Sequence, residues 1–163
     1  MIRSGTERLD DGERSEAGRA APRSTDRKSL ALLFSLMLRE MRENASDEEV
    51  HGFFHAIGAR MAQSCPLPDV DRTDRLAGAM NEVWRALDWG RVLLEPDDDG
   101  IGIVHFDAPV TMIEDDSGLW PAAFTSILEG AYDGWFRSLG SGPKLRTTLV
   151  SRSADRIELH HGR

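Results

Sequence analysis

Between Ser117 and Phe136 the chain sets Trp120, Phe124, Tyr132, Trp135 and Phe136 on one segment with helical spacing. Rings of this kind each demand on the order of 150–250 Å² of cover, so the rest of the chain must be arranged around them. The segment has no His, Cys or Lys and no Ser beside a base, so its bulk supplies contact area and not chemistry. One helix face in a small domain has no room for Tyr132, Trp135 and Phe136 together with Trp120 and Phe124. The surplus predicts an intersubunit contact, in which truncating Trp135 would release smaller particles.

The 163 residues suit one domain, which buries roughly two thirds of its unfolded surface. A net charge of -8 argues against binding nucleic acid or anionic lipid through a general basic surface. No apolar run approaches the ~20 residues of a membrane span. Cys65 is the only cysteine, which excludes an intramolecular disulfide and a cysteine-based zinc site. The first residues hold no apolar block of a secretory type, so the expected location is cytoplasmic.

Residues 1–28 mix Arg with Asp and Glu and offer only Ile2 and Leu9 as large aliphatics, the composition of a disordered tail. From Ser29 a folded domain is expected to run to residue 163. Leu30, Leu33, Phe34, Met37, Leu38 and Met41 recur at three- and four-residue intervals and predict a helix. Leu32 and Leu36 widen its apolar face enough to reach two neighbours or a second subunit. Ser46-Asp47-Glu48-Glu49 is a capping box for a second helix, with Val50, Phe53, Phe54, Ile57, Met61 and Ala62 expected inside, and Cys65-Pro66-Leu67-Pro68 stops it.

A third helix carries Leu76, Met80, Val83, Trp84 and Leu87 and ends at Trp89-Gly90. Strands over Val92–Glu95 and Ile101–Phe106 flank the Asp97-Asp98-Asp99-Gly100 turn. Val110–Ile113 is expected to be extended. The fourth helix spans Trp120–Leu139, and a second hairpin joins Leu145–Val150 to Arg156–His161. The fold class is therefore α+β, with helices packed on a small antiparallel sheet made of two hairpins and covered on one face.

The chemistry-bearing residues read as structural. Asp97 and Asp99 in a calcium-loop register would put Phe106 where a chelating Glu is required, so the turn is no such loop. His51 and His55 lack the acid and third ligand of a zinc motif and read as a solvated helix face. His105 reads as a hydrogen-bonded sheet histidine. Gly140-Ser141-Gly142 does not lead into a helix and is no phosphate loop. No catalytic residue, metal or cofactor is assigned. The rival readings are a small-ligand domain with Trp84, Trp120 and His105 around a pocket, or a structural adaptor that binds a Pro-rich or disordered partner.

The run Asp88-Trp89-Gly90-Arg91-Val92-Leu93-Leu94-Glu95, then Ile103-Val104-His105, Ser117-Gly118-Leu119-Trp120 and Leu128-Glu129-Gly130-Ala131-Tyr132 with Trp135, resembles the family of bacterial cellulose synthase operon protein D, the D component of the synthase complex. The resemblance covers Ser29–Trp135 and gives Trp89, Gly90, His105, Gly118, Trp120, Leu128, Glu129 and Gly130 as structural motif positions. It implies a non-catalytic accessory subunit supporting export and ordered assembly of glucan chains. The implied assembly is a homo-octameric ring, a tetramer of dimers, with Leu36 a further interface candidate. Glycosyl transfer would belong to a membrane-bound subunit responsive to cyclic di-GMP. Other synthase subunits or a Pro-rich, disordered accessory protein are the implied partners. Polar residues leading into the first helix, Arg27, Lys28 and Ser29, are the positions implied for contact with nascent glucan.

Overall fold

The computed structural model describes residues 24–70, 72–110 and 115–163. Expectations for the tail up to residue 23 and for an extended segment over 111–113 lie outside the described residues. Four helices and four strands follow in the order α1 (Ser24–Asn44), α2 (Asp47–Ser64), α3 (Thr73–Leu87), β1 (Arg91–Pro96), β2 (Gly100–Phe106), α4 (Trp120–Ser138), β3 (Arg146–Arg152) and β4 (Arg156–Gly162). The first helix begins before Ser29, so residues 24–28 belong to α1 and not to the tail.

The local signals act as their chemistry requires. Ser46 Oγ accepts the Glu49 amide at 3.3 Å while Glu49 Oε2 accepts the Ser46 amide at 2.8 Å, closing the reciprocal cap of α2. Asp88 takes the left-handed conformation at the end of α3, and Gly90 follows at φ 89°. Asp115 organises the start of α4: its carboxylate accepts the Ser117 amide and hydroxyl and, at 2.6 Å, the Trp120 amide. Burial pushes the Asp115 carboxyl upward, but these bonds outweigh it and hold the group below its ordinary range.

The two hairpins join edge to edge into one antiparallel sheet ordered β1-β2-β4-β3. Residues of β2 pair with β4 from Gly100↔Gly162 to Phe106↔Arg156, and β3 carries a bulge between Leu149 and Ser151. Ile103 and His105 of β2 and Ile157, Leu159 and His161 of β4 alternate onto the covered face, as the period of two dictates.

Helix α4 is the axis of the core. Every residue from Ala123 to Asp133 is buried, because α2 lies along one side and the sheet along the other. A helix enclosed in this way can hide rings in several directions, so the aromatic surplus expected to face another subunit is absorbed inside the chain. On α2 the buried residues are Val50, Phe54, Gly58 and Ala62, one every four positions. Phe53 and Ile57, expected inside, are 48% and 37% exposed. The glycine changes the phase of the face: Gly58 sits so close to α4 that a β-carbon there would overlap the Ile127 carbonyl.

Candidate functional site

The groups that look chemically capable are fastened into the fold. His105 is fully buried between Tyr132 and Trp89: Nδ1 lies 2.7 Å from the Tyr132 hydroxyl and Nε2 lies 2.7 Å from the Trp89 carbonyl. A carbonyl only accepts, so Nε2 carries the proton and Nδ1 accepts from Tyr132. Burial lowers the His105 pKa to about 4 and raises that of Tyr132 well above its ordinary value, so both stay neutral. Gly90 makes this possible, since a β-carbon there would overlap the Phe106 carbonyl.

A second polar array runs from α2 through α4 to β3. Glu129 Oε2 accepts from His51 Nε2 at 2.8 Å and Glu129 Oε1 accepts the Leu149 amide at 2.8 Å. One turn on, Asp133 Oδ2 faces His55 Nε2 at 3.5 Å and Arg137 at 3.4 Å, and Oδ1 accepts the Thr147 amide at 2.7 Å. The match is metrical. Residues four apart on a helix and two apart on a strand are separated by nearly the same ~6–7 Å. The two rungs therefore line up across three elements. His51 and His55 are thus not simply the solvated face expected of them, but partners of two buried carboxylates.

Those rungs also occupy the outward amides of β3, an edge of the sheet. On the opposite edge, Asn81 of α3 accepts the Val92 amide at 2.7 Å and donates to the Val92 carbonyl at 3.0 Å. Pro96, at the end of the same strand, has no amide to offer.

What stays open is apolar and helical. Helix α1 meets the body through Phe34, whose ring packs edge-on against Trp120 at 5.3 Å, and through buried Leu38 and half-buried Met41. Leu30, Leu32, Leu33, Leu36 and Met37 remain exposed along the same helix, between 65% and 47%. Phe53 and Ile57 on α2 and Leu149 and Val150 at the β3 bulge are exposed as well.

Measured against the predicted positions, the outcome divides. Leu36 is exposed and available to a partner. Tyr132, Trp135 and Phe136 are not: all three are core residues, with Trp135 Nε1 donating to the Cys65 carbonyl at 2.9 Å and the Phe136 ring stacked on His161 at 4.4 Å. Truncating Trp135 would open a cavity instead of freeing an interface. The rival pocket among Trp84, Trp120 and His105 is absent, because rings fill that space: Trp84 lies 5.1 Å from both His105 and Trp135, and Trp120 lies 5.5 Å from Phe124.

Lys28 and Ser29 are exposed within the first turns of α1 and do not precede the helix. Arg27 shares that stretch of backbone, and the expectation for its side chain lies outside the described residues. Among the motif positions, Trp89, Gly90 and His105 build the buried histidine clamp, while Leu128 is fully buried on α4. Gly118 takes φ 67° in the loop before α4, and Trp120 Nε1 donates to the Pro109 carbonyl at 3.0 Å. Glu129 caps β3 and Gly130 lets α2 approach, since a β-carbon on it would overlap the His55 carbonyl.

Sequence reading missed the partners of His161, which lies at the opposite end of the chain from α2. Ser141 Oγ is 2.6 Å from its Nε2, and Thr147 Oγ1 is 2.9 Å from its Nδ1. The Thr147 contact follows from the β3–β4 register, which sets Thr147 opposite His161, and the Ser141 contact arises because the segment after α4 passes the end of β4.

The sequence profile of the cellulose synthase D-subunit family matches residues 20–162, nearly the whole chain. No curated protein matches it.

Proposed function

The chain belongs to the cellulose synthase D-subunit family, and from that membership we propose that it is a non-catalytic, self-associating scaffold within a cellulose synthase complex. In this reading copies of the chain close into a ring, an octamer built from dimers. The ring supports export and ordered packing of glucan chains that another component polymerises. Other synthase subunits or a Pro-rich accessory protein recruit it on the cytoplasmic side of the inner membrane. Among the described residues no helix is long and apolar enough to cross that membrane itself.

The observation that carries the reading is the run of exposed apolar residues on α1. Five large aliphatic residues lie exposed along a little over two turns. Single chains rarely leave so continuous an apolar patch uncovered unless another surface covers it. The groups that would do chemistry point the same way, since His105, Glu129 and Asp133 are committed to hydrogen bonds inside the fold.

Light scattering behind size exclusion tests the assembly. Leu36→Glu sets a charge in the middle of the patch and is expected to yield smaller particles of unchanged helical content. A wild-type chain that elutes as a folded monomer at every concentration defeats the proposal.

A further inference from the structure

A cleft of about 320 Å³ lies where the start of α3, the start of β2 and the α4–β3 connection meet. Leu76, Ile101, Leu139 and Leu145 supply apolar walls, and Ser141 and His161 add polar side chains to the lining. The volume falls within the range of small-ligand sites, and so does the composition, an apolar bed with few polar groups.

The direction of each hydrogen bond can be worked out. Nδ1 of His161 faces the Thr147 hydroxyl at 2.9 Å and the Asp133 carboxylate at 3.5 Å, which together favour a proton on Nδ1. Burial lowers the His161 pKa, opposed by Asp133, so the ring is neutral and Nε2 is bare. Ser141 then donates its hydroxyl proton to Nε2, and its oxygen lone pairs are left as acceptors toward the cleft. Thr73 and Arg72, whose guanidinium binds Asp74 through Nε and Nη2, also line the cleft.

The order hydroxyl, imidazole, carboxylate is that of a nucleophilic triad, but the surroundings oppose that use. Ser141 stands just past the C-terminal end of α4, where the helix dipole disfavours a developing oxyanion, and its amide is taken by the Phe136 carbonyl at 2.9 Å. The arrangement suits binding. A hydroxyl acceptor, donor side chains and aliphatic walls lining one cleft fit a neutral ring with hydroxyls at its rim and C–H groups on its faces.

We infer that this cleft binds a hexopyranose unit of a β-glucan, with Ser141 Oγ accepting a sugar hydroxyl and the walls formed by Ile101 and Leu145 packing against the ring. The choice of glucan among hydroxylated rings rests on the scaffold reading under Proposed function. The site lies on a different part of the molecule from Lys28 and Ser29, the positions implied by resemblance.

Saturation-transfer difference NMR of the full chain with cellotetraose suits a large assembly and weak binding. The wild type and Arg60→Ala, an exposed position on α2 that does not line the cleft, are expected to give equal signal. Ser141→Ala is expected to weaken binding about fivefold, the loss of one hydrogen bond, and Leu145→Trp, which adds bulk to the cleft wall, to remove the signal. A signal that survives Leu145→Trp but vanishes in Lys28→Ala overturns the cleft while leaving glucan contact in place. No signal from the wild type overturns the cleft and direct glucan contact together. Displacement by benzyl alcohol with no effect of Ser141→Ala would mark an apolar crevice only and equally overturn the proposal.

Discussion

His105 illustrates how one buried residue ties the protein's stability to pH. In the unfolded chain its imidazole titrates near 6.5, whereas in the fold burial lowers the value to about 4. Its contribution is therefore complete above pH 6.5 and is lost as the pH falls from there toward 4, because only the unfolded chain takes up the proton over that window. The loss should reach about 3 kcal/mol by pH 4. Urea midpoints at pH 7 and pH 5 are expected to separate more for the wild type than for His105→Gln, which does not titrate. Equal separation in both would show that the histidine is protonated in place. His161, lowered by burial as well, acts with the same sign. Packed beside this clamp, the Trp84 indole nitrogen is the one buried side-chain polar atom among the described residues without a hydrogen-bond partner. Its ring still contacts His105, Tyr132 and Trp135, which is what its position at the centre of the core secures.

At the scale of elements, the α2–α4 contact depends on what is missing from it. Gly58 faces the Ile127 carbonyl and Gly130 faces the His55 carbonyl, so the helices touch backbone to backbone. Gly130→Ala forces them apart and is expected to destabilise by about 1–3 kcal/mol or more. Gly52→Ala, on an exposed turn of α2 with nothing nearby, is expected to stabilise by about 0.5–1 kcal/mol. Chemical denaturation of the two variants tests this, and a tolerated Gly130→Ala would disprove the close approach. The same approach sets Glu129 within reach of β3. Glu129→Ala should therefore speed exchange of the Leu149 amide by at least about tenfold in hydrogen–deuterium measurements, with Thr147, held by Asp133, changing less.

Much of this layer was legible beforehand. Apolar and aromatic spacing located the four helices, with α1 starting five residues earlier than expected, turn residues located both hairpins, and the capping box at Ser46 marked the start of α2 to the residue. The glycines were harder, because a glycine inside a helix reads as a weakness in one dimension and as a contact in three. That is why the buried face of α2 was drawn through Phe53 and Ile57 instead of through Gly58. The rungs from His51 and His55 to Glu129 and Asp133 could not be found by spacing, since their partners are 78 residues apart.

The molecule as a whole limits how copies can join. Both sheet edges are partly occupied, β3 at the Thr147 and Leu149 amides by Asp133 and Glu129 and β1 at Val92 by Asn81, and Pro96 offers no amide, so strand addition would meet these positions already filled. Tyr132, Trp135 and Phe136 are sealed in the core. Under the scaffold reading the exposed apolar residues of α1 are the proposed contact, with Phe53 and Ile57 of α2 as the nearest comparable apolar residues in sequence. A contact made only by folded chains stabilises them by mass action, so the thermal midpoint should climb with protein concentration, by about 2–4 °C for each tenfold increase. Leu36→Glu should flatten that dependence and leave the dilute midpoint nearly unchanged, because the residue contributes little inside its own chain. If the midpoint of the variant still rises with concentration, copies join through a surface other than α1, and the exposed residues of the β3 bulge, Leu149 and Val150, become the next place to set a charge.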